Sequence, residues 1–257
     1  MIQEFVASFS QLPEVIAIAL GGSRAGIHFD RSSDYDIYVY CSSPISEDTR
    51  RSRLGPLAGS VEYGNHFWEL EDNGIFQNGI DFDILYRDLD DFISGIAAVV
   101  EEYQWQNAYT TCMWHNLLTC KILYDPQGLL SAAKERFQVP YPEPLRSNIL
   151  HNGWRLLHES MPAYETQIIK AAKRGDIVSV NHRISAFLET YFDVLFAVNR
   201  KTHPGEKRLI PLCIELCPIL PENFEKHING LLSHMYHTPE RIPEDLKLII
   251  NALEKII

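Results

Sequence analysis

Val15-Ile16-Ala17-Ile18-Ala19-Leu20-Gly21-Gly22-Ser23-Arg24-Ala25-Gly26 is an apolar run halted by two glycines and a serine, and Asp34-Tyr35-Asp36-Ile37-Tyr38-Val39-Tyr40 follows it. The first run has the length and composition of a buried strand, and the glycines mark its end. Glycine lets a backbone approach a ligand closely, and amides opening a following helix can point at phosphate oxygens. Ser23 adds a hydroxyl and Arg24 a cation beside it. Neither a Gly-Lys-Ser/Thr ending nor Gly-x-Gly-x-x-Gly is present, so the common phosphate-loop patterns are excluded. In the second stretch Asp34 and Asp36 stand at i and i+2, on one face of a strand, where two carboxylates can hold a divalent cation between them. Hard cations such as Mg2+ take oxygen ligands and share them with substrate phosphates.

A third acid is available further on. In Gly79-Ile80-Asp81-Phe82-Asp83-Ile84-Leu85-Tyr86, Ile80, Phe82 and Ile84 fall on one strand face and Asp81 and Asp83 on the other. Set beside the Asp34/Asp36 strand, these acids would form a cluster able to bind metal and to deprotonate an attacking hydroxyl.

The order Gly-Gly-Ser, Asp-x-Asp on a strand, then Asp on a later strand resembles the nucleotidyltransferase superfamily that includes DNA polymerase beta and the aminoglycoside and lincosamide nucleotidyltransferases. The match spans about residues 15 to 86. The resemblance implies that Gly22, Ser23 and Arg24 hold a triphosphate and that Asp34 and Asp36 bind Mg2+. The family's third acid stands first in a pattern such as Ile80-Asp81-Phe82, which favours Asp81 over Asp83, with both kept in the metal set. Downstream, Leu118 to Pro126 is similar to the segment that follows the catalytic domain in antibiotic-type members. Val198 to Lys207 is similar to a loop of their helical domains, where a lysine reaches the nucleotide phosphates, and Lys207 is carried over on that basis. The implied reaction moves a nucleoside monophosphate, AMP from ATP first among the donors, to a hydroxyl of a small-molecule acceptor such as an antibiotic.

The implied architecture is α+β: a polymerase-beta-like mixed sheet with flanking helices over residues 1–105, then a helical, substrate-binding bundle over 106–257. Strands are expected near Val15–Leu20, Asp36–Cys41, Val61–Leu70 and Gly79–Tyr86, in an antiparallel-rich sheet. Asp72-Asn73-Gly74 and Gln77-Asn78-Gly79 read as turns between the last two. Helices are expected over Glu4–Gln11 and Ile45–Ala58, the latter with Ser46 near its start. From Asp88 helical periodicity takes over, with Leu89, Phe92, Ile93 and Ile96 forming a buried stripe. Longer helices are expected over Leu145–Arg174 and Ile177–Asn199, the second capped by Asp176 after Gly175.

Composition narrows the function. At 257 residues with 46% hydrophobic and 22% charged, the chain can bury a substantial core. Lys and Arg number 23 against 34 Asp and Glu, a net charge of -11, which disfavours a long nucleic acid and suits a cationic small acceptor. Arg50, Arg51 and Arg53 cluster in the sequence and leave a local basic patch open. No apolar run approaches the ~20 residues of a membrane helix, and the N-terminus lacks a signal-peptide pattern, so a cytoplasmic protein is expected. Monomer and homodimer both stay open. The five cysteines have no Cys-x-x-Cys spacing and read as reduced core residues. His227, His234 and His237 read as surface or core-edge residues. Trp68 near the sheet is a candidate base-stacking ring, and Lys121, Glu69 and Glu101 are weaker site candidates. Two other readings compete: a sugar-nucleotide glycosyltransferase built on Asp34-Tyr35-Asp36, which leaves Gly21 to Ser23 and Asp81 without a role, and a non-catalytic nucleotide-binding or toxin-antitoxin module.

Overall fold

The computed structural model describes residues 1–25, 33–67 and 69–257; residues 26–32, Trp68 and the Ser23 side chain lie outside the description. The chain is α+β. It divides into two compact units, Met1–Ala97 with Asn116–Val139, and Ala98–His115 with Pro140–Ile257.

The first unit holds α1 (Ile2–Phe9), β1 (Val15–Leu20), α2 (Gly22–Ala25), β2 (Tyr35–Cys41), α3 (Glu47–Leu54), β3 (Ala58–Asn65), β4 (Leu70–Phe76), β5 (Asp81–Asp88) and most of α4 (Leu89–Val100). The chain then runs through α5 (Cys112–Thr119) to β6 (Lys121–Tyr124) and α6 (Leu129–Arg136). Six strands form one mixed sheet in the order β3-β4-β5-β2-β1-β6, in which β2 and β5 are parallel and the other neighbours antiparallel. The short strand β6 was not expected after Asp88. Its pairing with β1 at Leu20↔Lys121 returns residues 116–139 to the sheet unit, so the single cut expected after residue 105 becomes an interleaved division.

Strand alternation gives the sheet two unlike faces. On one, Ile18, Leu20, Ile37, Val39, Phe82, Ile84 and Tyr86 pack on Phe5 and Phe9 of α1 and on Leu54 of α3. The other face carries Asp36, Tyr38 and Tyr40 beside Asp83, Leu85 and Arg87. Ala17 and Ala19 lie opposite Tyr40 and Tyr38 on that second face, and their small side chains leave room for the rings.

Two expectations at the sheet edge change. The strand expected over Val61–Leu70 is two strands, β3 and β4, and Asp72-Asn73-Gly74 lies inside β4 rather than in a turn. Tertiary packing overrides the local turn signal here: Asp72 is fully buried, and a Cβ on Gly74 would stand 2.3 Å from the Ser60 carbonyl oxygen and 2.8 Å from the Phe82 ring. The second expected turn does close the β4–β5 hairpin, with Gly79 at φ +79° and its N–H donating to the Phe76 carbonyl over 2.8 Å.

The second unit is helical: α7 (Glu143–Trp154), α8 (Tyr164–Lys173), α9 (Ile177–Val198), α10 (Leu209–Leu216), α11 (Phe224–His237) and α12 (Ile242–Glu254). The helix expected over 145–174 is interrupted, since α7 ends in a π-turn at Arg155–Glu159 and the chain restarts at Tyr164 after Pro162. Asp176 caps α9 as expected, accepting from the Ser179 N–H at 3.1 Å. Phe187, Tyr191 and Phe192 of α9 pack with Ile168, Phe224, Leu231, Leu246 and Ile249 into this unit's own core. Among the described residues, no helix is long and apolar enough to cross a membrane.

Candidate functional site

The register of the sheet assembles the site. The Gly21 N–H donates to the Asp36 carbonyl over 2.7 Å, Asp36 pairs with Asp83, Asp83 with Asn73, and Asn73 with Glu62. One polar row thus crosses from the end of β1 over β2, β5 and β4 to β3. Among the described residues, Asp34, Asp36 and Asp83 are the carboxylates that could hold a metal ion: each is half-buried and offers one oxygen, and these oxygens lie within 4.8 Å of one another. A set of three carboxylate oxygens is the donor chemistry a hard divalent cation such as Mg2+ takes.

Asp81 does not join this group. It is the exposed first residue of β5, opposite the apolar Ile75 of β4, and it precedes Phe82, the first β5 residue paired with β2. The family pattern favoured Asp81 by its place in the strand, whereas the parallel pairing puts Asp83 directly beside Asp36.

The glycine turn is shaped by the carboxylate next to it. Gly22, at φ +55°, is in the left-handed region, and a Cβ there would stand 1.7 Å from Asp36 Oδ2. A Cβ on Gly21 would stand 2.2 Å from the Tyr38 ring. No other residue type fits either position without displacing a side chain of the site face. Arg24 braces the same segment: its Nε donates to the carbonyls of Ser33 (2.7 Å) and Asp34 (3.0 Å), and its guanidinium lies 4.0 Å over the Tyr35 ring. The Nε of Arg24 is thus engaged by main-chain oxygens next to Asp34.

Two buried networks stiffen the sheet around the row. Arg50 of α3 is ion-paired with Asp72, which also accepts from the Gly64 N–H (2.9 Å) and the Tyr86 hydroxyl (3.0 Å). Of the expected basic cluster, Arg50 is thus buried against Asp72 and Arg51 pairs with Glu47, while Arg53 donates to the neutral Gln11 amide and keeps its charge. Arg87 Nε donates to Glu69 over 2.7 Å, its guanidinium donates to Asn116 Oδ1, and Asn116 donates to the Tyr38 hydroxyl. Glu69 is thus a partner of Arg87.

The remaining candidates are dispersed. Lys207 is exposed in the turn before α10 of the helical unit, and Lys121 is exposed at the start of β6. His234 hydrogen-bonds Asp245 at 2.7 Å. The Ser23 hydroxyl and Trp68 lie outside the described residues. Sequence reasoning missed Glu71 and Asn73, which share the site face two residues apart on β4. Their i, i+2 spacing was the available signal, and the Asp-Asn-Gly turn reading hid it.

A sequence-family profile described as a domain of unknown function, DUF4037, matches residues 105–209, less than half of the chain. No curated protein sequence matches. The chain is similar to the solved structure of a nucleotidyltransferase-like protein from Exiguobacterium sibiricum, at 10% identity and TM-score 0.44, over 99% of this chain and 72% of that one. It is similar to an aminoglycoside 6-adenyltransferase from Bacillus subtilis at 8% identity and TM-score 0.29, over 98% and 89% of the two chains. A spectinomycin adenyltransferase from Enterococcus faecialis, solved with ATP and spectinomycin, is 12% identical with TM-score 0.29, over 98% of this chain and 99% of that one. At these scores the likenesses carry no argument about the residues or the reaction of this chain.

Proposed function

We propose that this chain is a divalent-metal-dependent nucleotidyltransferase that moves a nucleoside monophosphate, AMP from ATP in the first instance, to a hydroxyl of a small-molecule acceptor. The observation that carries the reading is the gathering of Asp34, Asp36 and Asp83 at the mouth of the Gly21-Gly22 turn. Asp34 and Asp36 hold Mg2+, and Asp83 takes the place first given to Asp81, completing the carboxylate set or accepting the acceptor's proton. The cation, when bound, neutralises charge on the donor phosphates. The acceptor oxygen attacks the α-phosphorus, its proton passes to a carboxylate, and the bond to the leaving oxygen breaks to release pyrophosphate. Gly22, Ser23 and adjacent amides are proposed to orient the triphosphate, Lys207 to reach it, and the helical unit to select the acceptor.

Calorimetric titration of ATP and the other nucleoside triphosphates, with and without Mg2+, tests the reading on the native protein and on Asp36→Asn. Magnesium-dependent binding that the variant loses is expected, followed by pyrophosphate release in an acceptor screen. Equal binding by both proteins would remove Asp36 from the site. Release of a nucleoside diphosphate would replace the reading with glycosyl transfer.

A further inference from the structure

Asn73 occupies the polar row between two carboxylates. Its Nδ2 donates to Asp83 Oδ1 over 2.7 Å and to Glu71 Oε2 over 3.3 Å, while its Oδ1 accepts from Asn65 Nδ2 at 2.7 Å. Carboxylates only accept, so the amide cannot be turned over without setting its oxygen against both of them, and Asn65 holds the opposite end. Glu71 is itself 7% exposed and accepts from the Phe67 N–H at 3.3 Å, so the anchor is fixed as well. The chain of hydrogen bonds therefore runs from β3 through β4 to β5, ending on the carboxylate that stands next to Asp36.

A half-buried aspartate turns about its terminal torsion with little resistance, because that torsion has broad wells. A short hydrogen bond to one oxygen removes this freedom and sets where the second oxygen lies. Groups that orient metal ligands in this way are worth ten- to a hundredfold in metal affinity.

Resting on the metal site proposed above, we infer that Asn73 is a positioning residue of that site: it orients Asp83 for the cation, with Glu71 and Asn65 fixing Asn73 in turn. It touches neither metal nor substrate and acts through Asp83.

Titration with Mn2+, followed by the loss of the free-ion electron paramagnetic resonance signal, tests this on the native protein, Asn73→Ala, Asp83→Asn and the double variant, with melting temperatures recorded for each. Asn73→Ala is expected to weaken Mn2+ binding about tenfold or more. In the Asp83→Asn background the same replacement is expected to cost nothing further, because its effect passes through the group already removed. Should Asn73→Ala fail to fold, Asn73→Ser carries the same comparison. Native-like Mn2+ affinity in Asn73→Ala overturns the inference, as does an equal loss in both backgrounds, which would mark a general disturbance of the sheet. Absence of Mn2+ binding by the native protein would instead overturn the metal site itself, and the inference with it.

Discussion

In the sheet unit Arg50 and Asp72, 3% and 0% exposed, face one another across α3 and β4, and Arg87 is buried against Glu69. In the helical unit two equally buried groups, Asp193 and His203, have no ion-pair partner among the described residues. Asp193 accepts from the Thr110 N–H at 3.1 Å and from its hydroxyl at 2.7 Å, and burial nevertheless pushes its carboxyl up to about 7. His203 is fully buried between the Tyr109 and Phe196 rings, and burial, with His115 adding to it, pulls the imidazole down to about 3. Its Nδ1 accepts from the Gly205 N–H at 3.1 Å, so the neutral ring carries its proton on Nε2. Neighbouring strands and α3 bring full charges into contact, whereas the loops flanking α9 supply only hydroxyl and amide dipoles. Dipoles solvate a charge less well than a counter-ion does, and burial then favours the neutral form.

The largest effect on stability should come from breaking a pair in the sheet unit. Arg50→Met leaves Asp72 buried with only the Gly64 amide and the Tyr86 hydroxyl, and should cost about 3–5 kcal/mol in urea denaturation. Arg50→Met/Asp72→Leu removes both charges and should recover much of that loss. A cost under about 1 kcal/mol for the single replacement would break the contrast, since surface pairs are worth that little.

Acidity sharpens the contrast from the helical side. Asp193 holds its proton more tightly folded than unfolded, so its contribution is present below the ordinary carboxylate value near 4 and is lost as pH rises toward about 7. His203 acts in the opposite sense: its contribution is present above the ordinary imidazole value near 6.5 and is lost as pH falls toward about 3. Each group contributes a slope of at most about 1.4 kcal/mol per pH unit, and between about pH 4 and 6.5 the two oppose one another. Asp193→Asn should therefore unmask stability that climbs with pH across that window, and His203→Gln stability that falls. Chemical denaturation at several pH values reads both, and a flat profile in both variants would show that neither group is held neutral by burial.

Helix caps should be indifferent to the contrast. Ser46 of α3 accepts from the Thr49 N–H at 3.2 Å and Asp176 of α9 from the Ser179 N–H at 3.1 Å. Replacement of either by Ala should cost about 1 kcal/mol, measured by the same denaturation. A much larger cost in one unit would mean that its cap also serves tertiary packing.

Much of the sheet unit was legible because its signals are local. Val15–Leu20 reads as a strand from its apolar run and Ser46 and Asp176 as caps from their side chains, and Asp34, one residue ahead of β2, offers an oxygen within 4.8 Å of one from Asp36, as their i, i+2 spacing suggested. Asp72-Asn73-Gly74 misled for the same reason: its residues favour a turn in isolation, and pairing with β3 and β5, with Asp72 buried against Arg50, keeps it extended. The four-residue strand β6 was not legible because its partner, β1, is a hundred residues away in the chain.

The amino-acid sequence by itself determined elements such as β1, β2 and α9 and the i, i+2 spacing of Asp34 and Asp36, since propensity and alternation act over a few residues. Tertiary structure alone decided that Asp83 rather than Asp81 joins them, that Asn73 grips Asp83, and that Arg24 braces the chain beside Asp34. Strand register is a relation between segments far apart in the chain, and a shift of two residues in the β2–β5 pairing would set Asp81 rather than Asp83 beside Asp36.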